Sequence, residues 1–213
     1  MVQLVGKPAR TSSTLEPQNP MIGVFLQHCA DVPTRLILKR SASTLAGNEV
    51  RALDEDGALV LSSKPGTYPL ENTRARVLTD GRGKRLCRLH TKAKAIRTSF
   101  IAEGANQTEM FRIINYKSYF EYNMEAHFDA HGSGTPTVIT LKGDLWRQIA
   151  KLRLGKDGAL IGRISRQSGL MQEMMGYRRY VIDVAPGVDL ALVSAICVCY
   201  CAHEVKRRVQ RSA

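Results

Sequence analysis

The chain has 213 residues, of which 44% are apolar and 23% charged, the balance of one folded domain rather than of a low-complexity chain. Its 31 basic residues against 19 acidic ones give a formal net charge of +12 and a pI near 9.8, a surplus that attracts nucleic acid, anionic lipid headgroups or an acidic protein surface. Five cysteines, an odd number with three in one apolar run, argue against a disulfide framework and for reduced thiols in a reducing compartment.

At the N-terminus, residues 1–20 carry Lys7 and Arg10 but no continuous apolar stretch, so they do not read as a signal peptide. Residues 1–33 are expected to be a flexible arm, ahead of a domain over 34–205 and a basic tail over 206–213. Period-two alternation then dominates. In 119–128, Phe120, Tyr122, Met124, Ala126 and Phe128 fall on one face and Glu121, Asn123, Glu125 and His127 on the other, as in a half-buried strand. Alternation and turn residues predict strands over 34–40, 49–54, 58–63, 73–79, 84–90, 94–101, 109–115, 118–128, 137–142, 145–154, 159–166 and 177–184. Asp56-Gly57, Asp80-Gly81 and Asp157-Gly158 lie between apolar runs and signal hairpins. Twelve short strands without intervening helices predict a mainly β protein, a sandwich or a closed barrel.

The chain then changes character. Pro186-Gly187 breaks the last strand, and residues 190–202 are apolar except for Ser194. Thirteen helical residues span roughly 20 Å, short of a roughly 30 Å hydrocarbon core, so no transmembrane span is expected. Asp189 suits the positive end of the helix dipole, and Lys206, Arg207 and Arg208 the negative end. Apolar on every side, with Leu190, Leu192, Val193 and Ile196 among its residues, this helix is expected inside the barrel, filling a lumen too wide for side chains alone.

Several segments bear on family. "KGDLW" (142–146), "GKDGALIGRISR" (155–166) and "YVIDVAPGVDLALVSAICVCY" (180–200) resemble the closing half of a LURP-one-related protein, and the Pro-Gly-Val-Asp-x-Ala-Leu stretch beginning at Pro186 is the most specific piece. "LDEDGALVL" (53–61) and "LTDGRGKRLCRL" (78–89) resemble earlier parts of the same pattern, so the likeness covers roughly residues 34–204. That family belongs to the tubby C-terminal-like group, with the phospholipid scramblases. The resemblance implies a twelve-stranded barrel closed around a C-terminal helix, and in tubby proteins a link to phosphoinositides and to transcription. The Pro-rich arm of the scramblases has no counterpart here, nor does an acidic calcium loop.

Two stretches stand out by charge. If 84–94 is extended, Lys84, Leu86, Arg88, His90, Lys92 and Lys94 share one face; a shorter series places Arg147, Lys151 and Arg153 together. Solvated charge on a barrel exterior, where lysine also deters edge pairing, is the plain reading of either stripe. Their coincidence on a chain of +12 makes them candidate anion- or lipid-binding residues. Cys197 and Cys201 share a helix face while Cys199 points elsewhere, an arrangement of buried thiols acting as small hydrophobes and not of a zinc site. "DGRGKR" (80–85) lacks P-loop spacing, and His127 and His131 lack the glutamate and helix of a zincin. No catalytic constellation, metal site or cofactor is expected, and the chain reads as a non-enzyme. The expected function is a binding module or adaptor docking on anionic, phosphoinositide-type membranes, cytoplasmic and peripheral to a membrane, with an unidentified protein partner. The alternatives are a nuclear or nucleic-acid-associated protein, to which "KRRVQR" (206–211) speaks but the scarcity of aromatics for base stacking does not, and a scramblase-like protein.

Overall fold

The alternation is realised strand by strand. A computed structural model describes residues 14–40, 49–66, 75–93, 97–116, 121–130, 134–144, 149–167 and 178–211, with the backbone alone at 93, 144, 178 and 203–211. The strands are β1 (Thr34–Arg40), β2 (Val50–Leu53), β3 (Leu59–Pro65), β4 (Arg76–Asp80), β5 (Arg85–Ala93), β6 (Arg97–Glu103), β7 (Glu109–Tyr116), β8 (Glu121–Asp129), β9 (Pro136–Asp144), β10 (Ile149–Leu154), β11 (Leu160–Gln167) and β12 (Arg178–Val184). Each pairs antiparallel with its neighbours in sequence, and β1 pairs with β12, so the sheet closes into a twelve-stranded barrel. Closure leaves no unpaired edge. All three predicted Asp-Gly turns close hairpins, β2–β3, β4–β5 and β10–β11, and Gly57 supplies the left-handed φ of +84° that the first requires.

β8 shows why the residues alternate. Tyr122, Met124, Ala126 and Phe128 are buried while the residues between them are half-exposed. The inward row meets α1 (Leu190–Arg211), which starts at one end of the barrel and runs back through it. Ala191, Leu192, Val193, Ile196, Cys197 and Cys199 are at most 1% exposed although they point in every direction around the helix. Such uniform burial requires walls on all sides. Tyr200 packs edge-on against Tyr122 of β8 at 4.8 Å and Tyr180 of β12 at 6.1 Å, joining the helix to two strands four places apart in the barrel order. Leu190 is half-buried at the mouth. Among the described residues no helix is long and apolar enough to cross a membrane.

Two expectations about the ends of the chain are corrected. Residues 14–33 do not form a loose arm: they pack across the end of the barrel where α1 begins. The N–H groups of Glu16, Gln18, Ile22 and Ala30 donate to the carbonyls of Leu160, Pro186, Gly187 and Val188, and Gly187 donates back to Ala30 at 2.7 Å. Ile22, Phe25 and Ala30 are buried. The reason is Asp189, whose side chain is wholly buried at the N-cap of α1. Its Oδ1 accepts from the N–H groups of Ala191 (2.8 Å) and Leu192 (3.1 Å), the usual work of an N-cap. Its Oδ2 accepts from Val24 (3.0 Å) and Phe25 (2.7 Å), so one carboxylate ties the N-terminal segment to the helix. A Cβ at position 23 would overlap that of Asp189, which is why the closest approach falls on Gly23. At the other end, the helical backbone continues to Arg211, so the expected separate tail over 206–213 is helical as far as that residue.

Candidate functional site

The outward positions of the barrel carry the chain's excess charge, and the register decides which charges meet. Around β5 the predicted cationic ladder is broken up. Lys84 lies in the β4–β5 turn, with its N–H bonded to the Asp80 carboxylate at 2.8 Å, and not on the strand face. A bulge opposite Leu78 and Thr79 shifts the frame, and Leu86 is buried. Arg88, His90 and Lys92 do point outward together, but Glu103 sits directly across from Arg88 and lies 3.6 Å from the His90 ring. Hydrogen bonding from Arg112 holds the Glu109 carboxyl below the ordinary carboxylate range, and Lys92 and His90 add to the same pull. These cations therefore sit among carboxylates. Lys94 is outside the described residues.

The second predicted series fares differently. Arg147 is outside the described residues. Arg153 is half-buried, and its guanidinium donates to the Gly158 carbonyl at 2.9 Å, bracing the β10–β11 turn. Lys151 is exposed in the middle of β10, with Lys142 of β9 directly opposite on one side and Arg163 of β11 directly opposite on the other. Cross-strand partners stand about 5 Å apart at Cα, and like charges so placed repel. This three-strand cationic row ends at Asp183 of β12, whose Oδ1 accepts from Arg35 Nε of β1 at 2.7 Å. Strands β5 and β10 are separated by four strands on the shorter way round, so the two predicted stripes do not form one surface.

A second row was not expected. Lys39 of β1 faces Arg179 of β12 on one side and Arg51 of β2 on the other, again three cations on three adjacent strands. Arg51 pairs with Glu49 at 2.9 Å, while the Arg179 Nε is buried with no hydrogen-bond partner. Both rows belong to one continuous sector of the wall, β9–β10–β11–β12–β1–β2. Each strand taken singly shows one unremarkable cation in an alternating pattern; only the pairing lines them up. At the rim of this sector an open cleft of about 530 Å³ lies between Thr14 and Leu15 of the N-terminal segment and the wall at Arg35, Glu55, Arg163 and Asp183. The cleft contains as many carboxylates as guanidiniums, so it does not select for an anion.

The predicted structural residues are brought together. Asp189, Leu190, Leu192, Val193 and Ile196 all lie at the start of α1, as described above. Cys87, Cys197, Cys199 and Cys201 are buried thiols outside any disulfide, and Cys29 is half-buried. Burial pushes the Cys87 thiol up to about 12 and the Cys29 thiol up to about 11, with the Asp189 carboxylate adding to the shift at Cys29. Thiols held this firmly protonated are poor nucleophiles.

The barrel is similar to that of an Arabidopsis thaliana protein solved by X-ray crystallography, with a TM-score of 0.53 and 16% identity over 83% of this chain and 94% of that one. At that identity the likeness is one of fold. No curated protein matches the chain significantly. A family model described as LURP-one-related matches residues 34–201, all twelve strands and α1 to Cys201. With the Pro186–Leu192 motif forming the turn and capped start of the enclosed helix, the chain belongs to the LURP-one-related family.

Proposed function

We propose that the protein is a non-enzymatic binding module that docks on anionic phospholipid surfaces, with phosphoinositide-type headgroups among the candidates, through the β9–β2 sector of its wall. The observation that carries the reading is the row Lys142–Lys151–Arg163. Placing three like charges directly across neighbouring strands opposes sheet stability, and an anionic surface relieves the repulsion. A convex wall presenting separated cations suits many phosphates at once. Among the described residues it presents no aromatic ladder on which bases would stack. The apolar part of α1 is already enclosed by the barrel, which speaks against a lipid-moving role that requires the helix to enter a bilayer.

The test is flotation of the full chain with phosphatidylcholine vesicles with and without phosphatidylserine or a phosphoinositide, beside a duplex-DNA shift at matched salt. Each basic residue near an anionic surface contributes about 1 kcal/mol, so Lys142→Gln, Lys151→Gln and Arg163→Gln together are expected to weaken vesicle binding by roughly two orders of magnitude. Binding falls as salt rises. A protein that ignores anionic vesicles at low salt but shifts DNA refutes the lipid reading.

A further inference from the structure

Between the two cationic rows runs a third outward row. Ile149 of β10, Ser165 of β11, Val181 of β12, Ile37 of β1 and Leu53 of β2 stand directly opposite one another in succession. Leu59 of β3 continues the row across a bulge. Outward positions of a barrel surrounded by water are ordinarily polar, yet five of these six are branched aliphatics. Ile149 is 40% exposed and Leu59 36%, Ile37 and Leu53 are half-buried, and Val181 is the best covered at 9%. Alternate residues along a strand are about 7 Å apart, so the apolar band and the rows on either side of it span roughly 14 Å. One flank is cationic over β9–β11 and turns to Asp183 on β12, and the other is cationic over β12–β2.

We infer that this band enters the outer layer of an anionic bilayer, so that docking has an apolar part as well as an electrostatic one; the inference rests on the docking reading above. The occupant follows from the arrangement. A closed barrel has no free edge for an added strand, which disfavours peptide capture by strand addition, and the cleft at the rim of this sector lies outside the apolar row. One margin is cationic over β9–β11 and the other over β12–β2, so an occupant with phosphates on either side of an apolar centre fits, as does a phospholipid interface in which phosphates overlie acyl chains. The long stems of lysine and arginine let their charges reach phosphate level while the shorter aliphatics point inward. Interfacial burial of roughly 5–10 Å is deep enough to wet several strands of a curved wall.

The experiment compares three forms of the full chain on phosphatidylcholine vesicles with and without phosphatidylserine, over a salt series: the unchanged protein, Ile149→Asp with Leu59→Asp, and the Lys142, Lys151 and Arg163 triple glutamine variant. Removing the two exposed aliphatics is expected to lower affinity about 100-fold. It is also expected to abolish the fraction of binding that survives high salt. If the aspartate pair melts early, Ile149→Ser with Leu59→Ser replaces it. If the unchanged protein binds, the triple variant weakens and the apolar pair binds as before, insertion is overturned while docking stands. If the unchanged protein binds no anionic vesicle, both readings fall. Capture of an acidic amphipathic peptide by this face without vesicle binding assigns it to a protein partner and overturns the inference.

Discussion

Replacing Asp189 tests how one buried carboxylate holds two distant segments together. Burial pushes this carboxyl above its usual range, and hydrogen bonds from Phe25, Leu192, Val24 and Ala191 pull it back down. Because the net shift is upward, its contribution to stability is fullest below the ordinary Asp value of about 3.9 and is lost as pH rises through the folded value. The group is retained for the donors it satisfies. In Asp189→Ala four backbone N–H groups lose their partner, three of them in fully buried surroundings, at about 1–3 kcal/mol each. The removed desolvation penalty offsets part of that loss, leaving an expected cost of about 3–5 kcal/mol, a large share of an ordinary domain's stability. At roughly 2–4 °C per kcal/mol for this chain length, the melting temperature falls by about 6–20 °C. Asp189→Asn is more informative. Asparagine caps a helix as well as aspartate does, but it offers one accepting oxygen and so serves either the Ala191 and Leu192 pair or the Val24 and Phe25 pair. Its expected cost is about 2–3 kcal/mol, with hydrogen exchange at Val24 and Phe25 accelerated and the pH dependence of stability flattened above about pH 4. Chemical denaturation and amide exchange measure both effects. An asparagine variant with native stability and unchanged exchange at Val24 and Phe25 would falsify the clamp.

Two further outcomes follow from the same packing. Deleting residues 1–33 removes the backbone bonds from Glu16, Gln18, Ile22 and Ala30 and uncovers the start of α1, so soluble yield is expected to collapse or the melting temperature to fall by more than about 10 °C; an unchanged cooperative melt refutes the capping role. The thiols of Cys87, Cys197 and Cys199, raised by burial, are expected to resist a thiol reagent in the native protein and to react once it is unfolded, with Cys29 intermediate. Since these pKa values are raised on folding, the stability they contribute is present below the unfolded thiol value of about 8.5 and is lost as pH rises through the folded values, about 12 for Cys87. Fast native labelling of Cys197 or Cys199 contradicts a helix enclosed on every side.

Much of the barrel is legible in the chain because its signals are local. Alternation in 119–128 and 177–184 needs only the two-residue repeat of a strand, and the apolar run after Asp189 needs only its length to be read as an enclosed helix. The LURP-one-related resemblance rests on equally local strings. Even so, the short cluster Ile22, Val24, Phe25 and Leu26 has neither period nor length, so its packing against the helix start is not visible until Asp189 is seen to accept from Val24 and Phe25, 165 and 164 residues away in sequence.

The surface divides the same way. The sequence by itself determined that the protein is cationic and, where no bulge intervenes, which residues of a strand face outward, because both depend on composition and neighbours along the chain; at β5 the bulge beside Leu86 shifted the frame. Only the tertiary structure decided which charges stand together. Register set Glu103 across from Arg88 and dispersed the β5 ladder, and the same pairing put Lys142, Lys151 and Arg163 in one row and Arg179, Lys39 and Arg51 in another. Cross-strand neighbours come from distant parts of the sequence, and one residue of slip exchanges the inner and outer faces. The electrostatics of a barrel wall is therefore a property of its pairing and not of any one strand.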